Sequence, residues 1–462
     1  MLARPIERTR GPREWPSGLI ALQVRNYRLL LSSQALGATG GWMQRVAQDW
    51  MVLQLTGSVA AVGVTVALQF LPFLLFGLFS GVIADRFPKQ RILMITQSAA
   101  AVCAAVLGLL ALTGTAQAWH VYIIAFSLGM VTVFDGPARS ALVTELVGPA
   151  RIRNAVSLNS SVFHSAALVG PALSGVLIGT IGLGWSFVAN ALAASVVVAI
   201  ISQIKPELAQ LPTPASRAKG QLREGLSYIM RTSEVRWSLI LLAVASMFAL
   251  NMTVVITAFA DKVFDLGVNG YSLLTSLNAV GALTGALLSA GRKKPIRLRG
   301  LALLLAVLGA AVLAGGLMPS PVLYGAVLVL TGLITLTFLI GANTLVQTSC
   351  APAVRGRVMA VYMLIQLGLQ AVGSPVLGFG IDHIGPQATL AVTGAMTITL
   401  AVTVSMVMAK KAHLSLGRQP VHRADFRLDS IRLGRRQVPF VTTRTLRRLS
   451  PIGIVPARGS IS

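Results

Sequence analysis

The chain has 462 residues, of which 54% are hydrophobic and only 11% are charged, and its mean hydropathy is +0.74. About a quarter of the residues of a soluble protein carry charge, so this composition excludes an ordinary water-soluble protein. A spanning helix takes about 20 residues, and the apolar material suffices for about twelve spans, which also excludes a single-pass receptor and a secreted enzyme.

Apolar segments follow one another along the chain, and most exceed the roughly 18 residues that a spanning helix requires. We expect no cleavable signal, because the Arg-rich N-terminal segment leads straight into an apolar segment too long for a signal peptide. The sequence therefore predicts an all-α integral membrane protein with twelve transmembrane helices. They lie at 29–55, 60–84, 92–113, 119–141, 155–178, 183–204, 237–260, 270–291, 299–318, 321–349, 358–382 and 387–409.

The basic residues set the orientation of these helices. The chain has 39 Lys and Arg and a formal net charge of +25. All except Arg45 and Lys262 lie before the first segment, in or at the edge of alternate connections, or after the last segment. By the positive-inside rule this side is cytoplasmic, so both termini are predicted to be cytoplasmic. The charge thus indicates membrane orientation and contact with anionic lipid, and not a nucleic-acid partner.

The longest cytoplasmic connection divides the chain into two six-helix halves. The halves resemble each other weakly, because 169–175 aligns with 372–378 in the same orientation. Such a parallel repeat is typical of secondary transporters, whose halves rock about a central site. The tail is Arg-rich and Pro-punctuated, so we expect it to be disordered. The predicted parts are an N-terminal segment, a first half, a central loop, a second half and a basic tail, at 1–28, 29–204, 205–236, 237–409 and 410–462.

The connection at 81–91 reads GVIADRFPKQR. Asp85 can face the positive end of a helix from the other half, and Gly81 allows two helices to approach closely. An ordinary positive-inside loop would explain the basic residues but neither of these two. The string resembles the G-x-x-x-D-R-x-G-R-K signature of the major facilitator superfamily, with Pro88 in place of a glycine. The resemblance implies a twelve-helix transporter with a cytoplasmic gate formed by Gly81, Asp85, Arg86, Lys89 and Arg91.

The fifth segment contains the string GPALSG at 170–175. It resembles the G-P-x-x-G-G element of the superfamily's proton-coupled exporters, with Ser174 in place of a glycine, which implies export through a kink at Gly170, Pro171 and Gly175. A kink that serves only helix packing would read the same way. Further strings are similar to the branch that includes the enterobactin exporter and macrolide-efflux proteins; they lie at 42–50, 55–58, 135–139 and 355–358.

Charged groups inside a bilayer are costly and point to function. Arg45 and Asp49 are spaced i, i+4 in the first segment and can pair on one helix face. Either Asp49 carries a proton in a coupling site with Arg45, or the two residues form a permanent structural ion pair. His164 lies at a similar depth in the fifth segment. Its ordinary pKa near neutrality makes it a third coupling candidate, and a packed hydrogen-bonding histidine is the alternative.

A second i, i+4 pair, Asp135 and Arg139, lies toward the cytoplasmic end of the fourth segment. A gate or structural role suits this pair better than substrate contact, because Pro137 lies between the two residues and the site is close to the membrane surface. Arg355 and Arg357 occupy the corresponding cytoplasmic connection of the second half. We assign all four residues to the cytoplasmic gate.

Enzymatic and ATP-driven functions lack support in the sequence. No lysine is followed by Ser or Thr, so there is no Walker A loop, and there is no G-x-S-x-G nucleophile string. The two cysteines match neither a disulfide framework nor a metal site, and no cofactor is expected. We therefore predict a monomeric bacterial inner-membrane transporter that exports a small amphiphile in exchange for protons. The alternatives are an importer or uniporter, and a non-transporting membrane scaffold or sensor.

Overall fold

The structure, a computed structural model, describes residues 17–205, 221–292, 296–351 and 354–417. These residues form α-helices with short 3-10 and π segments and no strand. The helices are α1 (Arg25–Thr56), α2 (Val59–Arg86), α3 (Lys89–Leu112), α4 (Ala118–Val147), α5 (Ile152–Ile181), α6 (Leu183–Ser202), α7 (Gln221–Arg231), α8 (Ser233–Val244), α9 (Met252–Ala258), α10 (Gly267–Ala290), α11 (Leu298–Gly316), α12 (Pro321–Ser349), α13 (Arg355–Ile384) and α14 (Pro386–Gly417).

Eleven helical stretches of the described residues are long and apolar enough to cross a membrane. The all-α membrane architecture predicted from the sequence is confirmed. Helix α1 is not among the eleven, because its glutamines and the charged Arg45 and Asp49 lower its hydropathy. Its 32 residues would still extend about 48 Å at 1.5 Å per residue, which is enough to cross a bilayer. The twelfth span stays a prediction.

Several boundaries differ from the sequence prediction. The connection predicted at 205–236 contains α7, and the following span begins at Ser233. The tail predicted from residue 410 begins inside α14, and residues from 418 onward lie outside the described residues, as do 1–16. Helix α7 was not predicted because the spans were identified by long apolar runs, and its turns are polar and contain Arg.

The span Ser233–Val263 is irregular and combines α8 and α9 with two π segments. Asn251 lies at the break between α8 and α9 and donates hydrogen bonds to the carbonyl oxygens of Ser246 and Met247, each at 3.1 Å. A π turn leaves carbonyl groups without their usual helical partners, and a side-chain amide can replace those partners. Asn251 therefore stabilises an interruption that its position in an apolar run does not reveal.

We call α1–α6 the N-half and α8–α14 the C-half. In the N-half, α1 packs against α5 and α6, α3 against α6, and α2 against α4. In the C-half, α10 and α11 pack against α12. The most extensive contacts between the halves join α2 to α13 and α5 to α10. Internal contacts group the chain into two units, Met1–Ser405 and Met406–Ser462, and everything described below belongs to the first.

Helix α3 shows which surface faces lipid. Ile95, Val102 and Leu109 are 69%, 62% and 64% exposed, and their spacing of seven residues places them on one helix face. Leu93 and Leu107 are fully buried. An exposed stripe of large apolar side chains on one face, with buried apolar side chains on the other, is expected of a helix between lipid and protein.

Helices α2 and α13 touch at one end through glycines. A Cβ on Gly378 would lie 2.7 Å from the Cα of Ala60, and one on Gly63 would overlap the carbonyl oxygen of Ser374. Gly81 is 18 residues, or about five turns, beyond Gly63 and so lies on the same face of α2. Among the described residues, no atom outside the helix's own nearby backbone lies within 4 Å of a Cβ placed on Gly81. The described residues therefore make no close helix approach at Gly81 in this conformation.

The glycine contact makes a stability prediction. Gly63→Ala should lower the melting temperature of the purified protein, because overpacking against a backbone costs about 1–3 kcal/mol. Gly77→Ala is the matched control on the same helix, since a Cβ at Gly77 meets no atom of a neighbouring helix within 4 Å in the described part of the chain. In a helix, alanine is more stabilising than glycine by about 1 kcal/mol, so Gly77→Ala should be at least as stable as the wild type. Equal melting temperatures for the two variants would contradict the packing described.

Candidate functional site

A cavity of about 300 Å³ lies within the N-half, between α1, α3, α4 and α5. The residues of α1 that line this cavity recur with helical spacing, so they lie on one face of the helix. That face combines small residues with two of the polar side chains that lower the hydropathy of α1, Gln34 and Arg45. The α1 residues at the cavity are Gln34, Gly37, Ala38, Gly41, Trp42 and Arg45.

A second cavity of about 140 Å³ adjoins the first, and the two share part of their lining. Its wall is rich in amides contributed by α1, α2, α3 and α6: Gln44, Gln69, Gln97 and Asn190. Arg45 borders both cavities. Asn190 donates a hydrogen bond to Oε1 of Gln44 across the α1–α6 contact.

The guanidinium of Arg45 contacts an aromatic ring at the cavity wall. Its central carbon lies 5.0 Å from the ring centroid of Trp42, a cation–π arrangement. Trp42 in turn packs edge-on against Phe163 of α5, with 6.0 Å between the ring centroids. The wall thus places a cation beside an aromatic surface.

Asp49 lies one helical turn beyond Arg45 but contacts the other half of the protein. It is 1% exposed and accepts a hydrogen bond at 3.3 Å from the hydroxyl of Tyr271 on α10. Tyr271 stacks on Trp50, with 6.0 Å between the ring centroids. Among the described residues, Arg45 and Asp49 form no ion pair within 4.0 Å. The pairing that their spacing allows is replaced by a contact between α1 and α10.

The pair Asp135 and Arg139 forms as the spacing indicates. Arg139 donates to both carboxylate oxygens, at 2.9 and 3.2 Å, and Asp135 also accepts from Thr96 and Gln97 of α3, at 3.1 and 2.8 Å. Arg139 reaches Ser33 of α1 at 3.4 Å. The pair therefore joins α1, α3 and α4 within the N-half, on the wall of the larger cavity.

The other predicted residues of α5 serve packing in this structure. His164 is half-buried beside Phe163 and is not part of the lining of either cavity. Gly170 packs on α1, where an added Cβ would lie 2.6 Å from the Cβ of Trp42. Gly175 packs on α10, where the same test gives 2.6 Å to the Cβ of Ser272. Pro171 is buried inside the helix.

The residues predicted to form the cytoplasmic gate are spread over one end of the bundle. Lys89 pairs with Glu145 of α4 at 3.0 Å. The side chain of Asp85 lies outside the described part of the structure. Arg357 is half-buried near the start of α13, and the remaining members are exposed: Gly81, Arg86, Arg91 and Arg355.

A polar cluster at the opposite end was not found from the sequence. Asp382, in the last turn of α13, accepts hydrogen bonds from the hydroxyl of Ser58 at 2.6 Å and from the backbone amides of Val59 and Ala60 at 3.1 and 2.8 Å. Lys262 donates at 2.6 Å to Oδ1 of Asp382, the oxygen that also accepts from Val59. A carboxylate at a helix N-terminus satisfies free amides and the helix dipole. The sequence signal for this cluster was Asp382, an acid at the end of an apolar segment. A second signal was Lys262, the single basic residue in the connections predicted to lie on the side opposite the cytoplasm.

The fold and the membrane spans place the chain among the major facilitator transporters, and comparisons agree. The chain belongs to the transmembrane secretion effector family, whose sequence profile matches residues 16–432. The resemblance to the superfamily and to its exporter branch is thereby confirmed. The protein is a multi-pass membrane transporter of a bacterial type and not an enzyme.

Three characterised relatives are similar over most of their length. The staphyloferrin A transporter of Staphylococcus aureus is 23% identical over 83% of this chain and 96% of its own. The multidrug efflux pump Tap of Mycobacterium tuberculosis is 25% identical over 84% and 96%. The enterobactin exporter EntS of Escherichia coli is 24% identical over 82% and 90%.

Solved structures with the same fold are more distant in sequence. A POT family transporter in complex with 5-aminolevulinic acid aligns with a TM-score of 0.68 and 13% identity, over 84% of this chain and 96% of that one. A bacterial homologue of the lysosomal transporter Spinster, in an inward-facing conformation, aligns with a TM-score of 0.61 and 15% identity, over 83% and 95%. These likenesses concern the fold.

The Asp382 cluster makes the second prediction. Asp382→Asn should lower the melting temperature of the purified protein, because a carboxylate that accepts hydrogen bonds from two amides, a hydroxyl and an ammonium loses about 1–3 kcal/mol when neutralised. Asp265→Asn removes the same charge from an exposed residue in the neighbouring connection, and should shift stability by less than about 0.5 kcal/mol. A melting temperature for Asp382→Asn that matches the control would mean that the cluster does not hold the two helices together.

Proposed function

We propose that this transporter exports a small amphiphilic molecule across the bacterial plasma membrane in exchange for protons, as a monomer with both termini in the cytoplasm. The observation that carries the proposal is the cavity beside Arg45, where a cation, amides and the ring of Trp42 share one wall. A cavity of this composition suits a molecule with a polar and an apolar part. The names of two relatives, an efflux pump and an exporter, support outward transport.

The helix contacts support alternating access from an inward-facing state. The positive-inside rule places the start of α2 and the end of α13 on the outer side, where Asp382 joins them. At the other end of α2, the same face has open space around Gly81. The proposed cycle releases Asp382 when the outer side opens and brings the 81–91 connection against the C-half when the inner side closes.

The proposed coupling site is Asp49, with Arg45 one turn away. Asp49 lies where the two halves meet, and its Oδ2 accepts the hydrogen bond from Tyr271 while its Oδ1 has no partner among the described residues. A carboxylate at a moving interface changes its partners as the halves rock, so its affinity for a proton changes with the conformation. Among the described residues, His164 makes a ring contact with Phe163 and none with the other half, which supports placing the coupling on α1.

The proposed inner gate combines the Asp135 and Arg139 pair with the basic residues of the cytoplasmic connections. The pair lines the larger cavity and is held by α1, α3 and α4, so it moves as part of the N-half. Arg86, Arg91 and Arg355 are exposed at the same end. We propose that they contact anionic lipid in this state and carboxylates of the opposite half in the closed state.

Proton-driven export is tested by accumulation in cells. Cells that express the wild type should hold several-fold less of at least one compound in a panel of dyes, antibiotics and siderophore-like compounds, and a protonophore should abolish the difference. Asp49→Asn should also abolish it, because the variant cannot exchange a proton. Asp265→Asn, which neutralises an exposed acid, should behave like the wild type.

Each other outcome points to a different function. A difference that persists with the protonophore, or greater accumulation in the expressing cells, would contradict proton-driven export and favour a uniporter or an importer. The remaining alternative, a non-transporting membrane scaffold, is tested with a chain truncated after Gly417. The transporter keeps near-normal export without its basic tail, whereas a scaffold that docks through the tail loses its function.

A further inference from the structure

The charges around the two cavities do not balance. Of the described side chains that line either cavity, only Arg45, Asp135 and Arg139 are charged. Asp135 accepts two hydrogen bonds from Arg139 and one each from Thr96 and Gln97. Its charge is matched by Arg139 and its lone pairs are occupied, so it offers little to a cationic ligand.

Among the described residues, Arg45 is the cavity charge without an ion-pair partner in contact, although the buried carboxylate of Asp49 attracts it from one helical turn away. No carboxylate oxygen of the described residues lies within 4.0 Å of its guanidinium, and Asp49 is bound to Tyr271 and lines neither cavity. The ring of Trp42 offers a cation–π contact, which compensates only partly for the removal of a guanidinium from water. The larger cavity therefore presents a positive charge beside an aromatic surface.

Two further hydrogen-bond donors border the smaller cavity with Arg45. Gln44 and Gln69 are buried, and the amide nitrogen of each has no acceptor among the described residues. The oxygen of Gln44 accepts from Asn190, which leaves its nitrogen as the free end. A ligand that supplies acceptor oxygens matches the hydrogen-bonding character of the guanidinium and of the two amide donors.

We propose that the transported molecule is an anionic amphiphile. Its carboxylate, or a comparable oxyanion, binds Arg45 with the amides of Gln44 and Gln69, and its apolar ring packs on Trp42 and Phe163. This inference rests on the proposed function, because it names the substrate class of the transport cavity. It sets this protein apart from a pump for cationic compounds, since the one carboxylate among the described residues that line the cavities, Asp135, is already paired with Arg139.

The test compares two probes that differ only in charge. Naphthalene-1-acetate and naphthalene-1-acetamide share the ring, and equilibrium dialysis of the radiolabelled compounds against the purified full chain in detergent measures each affinity. The acid should bind the wild type at least about tenfold more tightly than the amide, as expected for hydrogen bonds to a charged group. Arg45→Gln should abolish this preference and leave amide binding within about twofold. Arg28→Gln, which removes an exposed arginine of the same helix, should keep the preference.

A second variant keeps the test decisive if Arg45→Gln does not fold. Gln69→Glu retains Arg45 and adds a competing carboxylate to the smaller cavity, so it should also lose the preference for the acid. Absence of an acid preference in the wild type, whether both probes bind equally or neither binds, overturns the inference. So does a preference that survives either variant.

Dialysis needs no ion gradient, which separates the two proposals. If the purified protein prefers the acid but cells show no protonophore-sensitive export, the proton coupling is contradicted and the proposed substrate class is not. If cells show protonophore-sensitive export of a compound but the purified protein does not prefer the acid, only the proposed substrate class is contradicted.

Discussion

The hydrocarbon interior of a membrane offers no hydrogen-bond partners, and the rest of the structure depends on this constraint. Every polar group of a span must be satisfied by protein or must line a cavity. Part of the polar surface of α1, which includes Gln34, Gln44 and Arg45, borders the cavities, while other faces of the helix pack against α5 and α6. The polarity that makes α1 a poor candidate span by composition thus coincides in part with the cavity wall.

The same constraint explains how the two halves are joined. Among the described side chains, hydrogen bonds cross between the halves at two places, Asp49 with Tyr271 and Asp382 with the start of α2. The rest of the contact between α2 and α13 relies on close backbone approach at Gly63 and Gly378. An interface with few directional bonds and smooth glycine surfaces can open at one end and close at the other without leaving many polar groups unpaired, as alternating access requires.

Local features could be predicted from the sequence, and long-range contacts could not. The spans and the pair of Asp135 with Arg139 follow from apolar length and from i, i+4 spacing, which a helix enforces by itself. The same rule places Arg45 and Asp49 one turn apart but does not predict the hydrogen-bond partner of Asp49, which is Tyr271, 222 residues away. The Asp382 cluster joins residues more than 300 positions apart, and no sequence period reports such a contact. The irregular span around Asn251 was missed because an interrupted helix is as apolar as a regular one.

We propose that the halves exchange an opening on one side for an opening on the other. Pulsed electron–electron double resonance on spin-labelled protein in lipid nanodiscs measures this exchange, with one label pair at Gly81 and Gly356 and another at Leu55 and Ile384. Alternating access predicts two populations in each pair whose proportions shift in opposite directions when pH is changed: the distance at 81/356 shortens as the distance at 55/384 lengthens. A single unchanging distance in either pair, or distances that lengthen together, would contradict it.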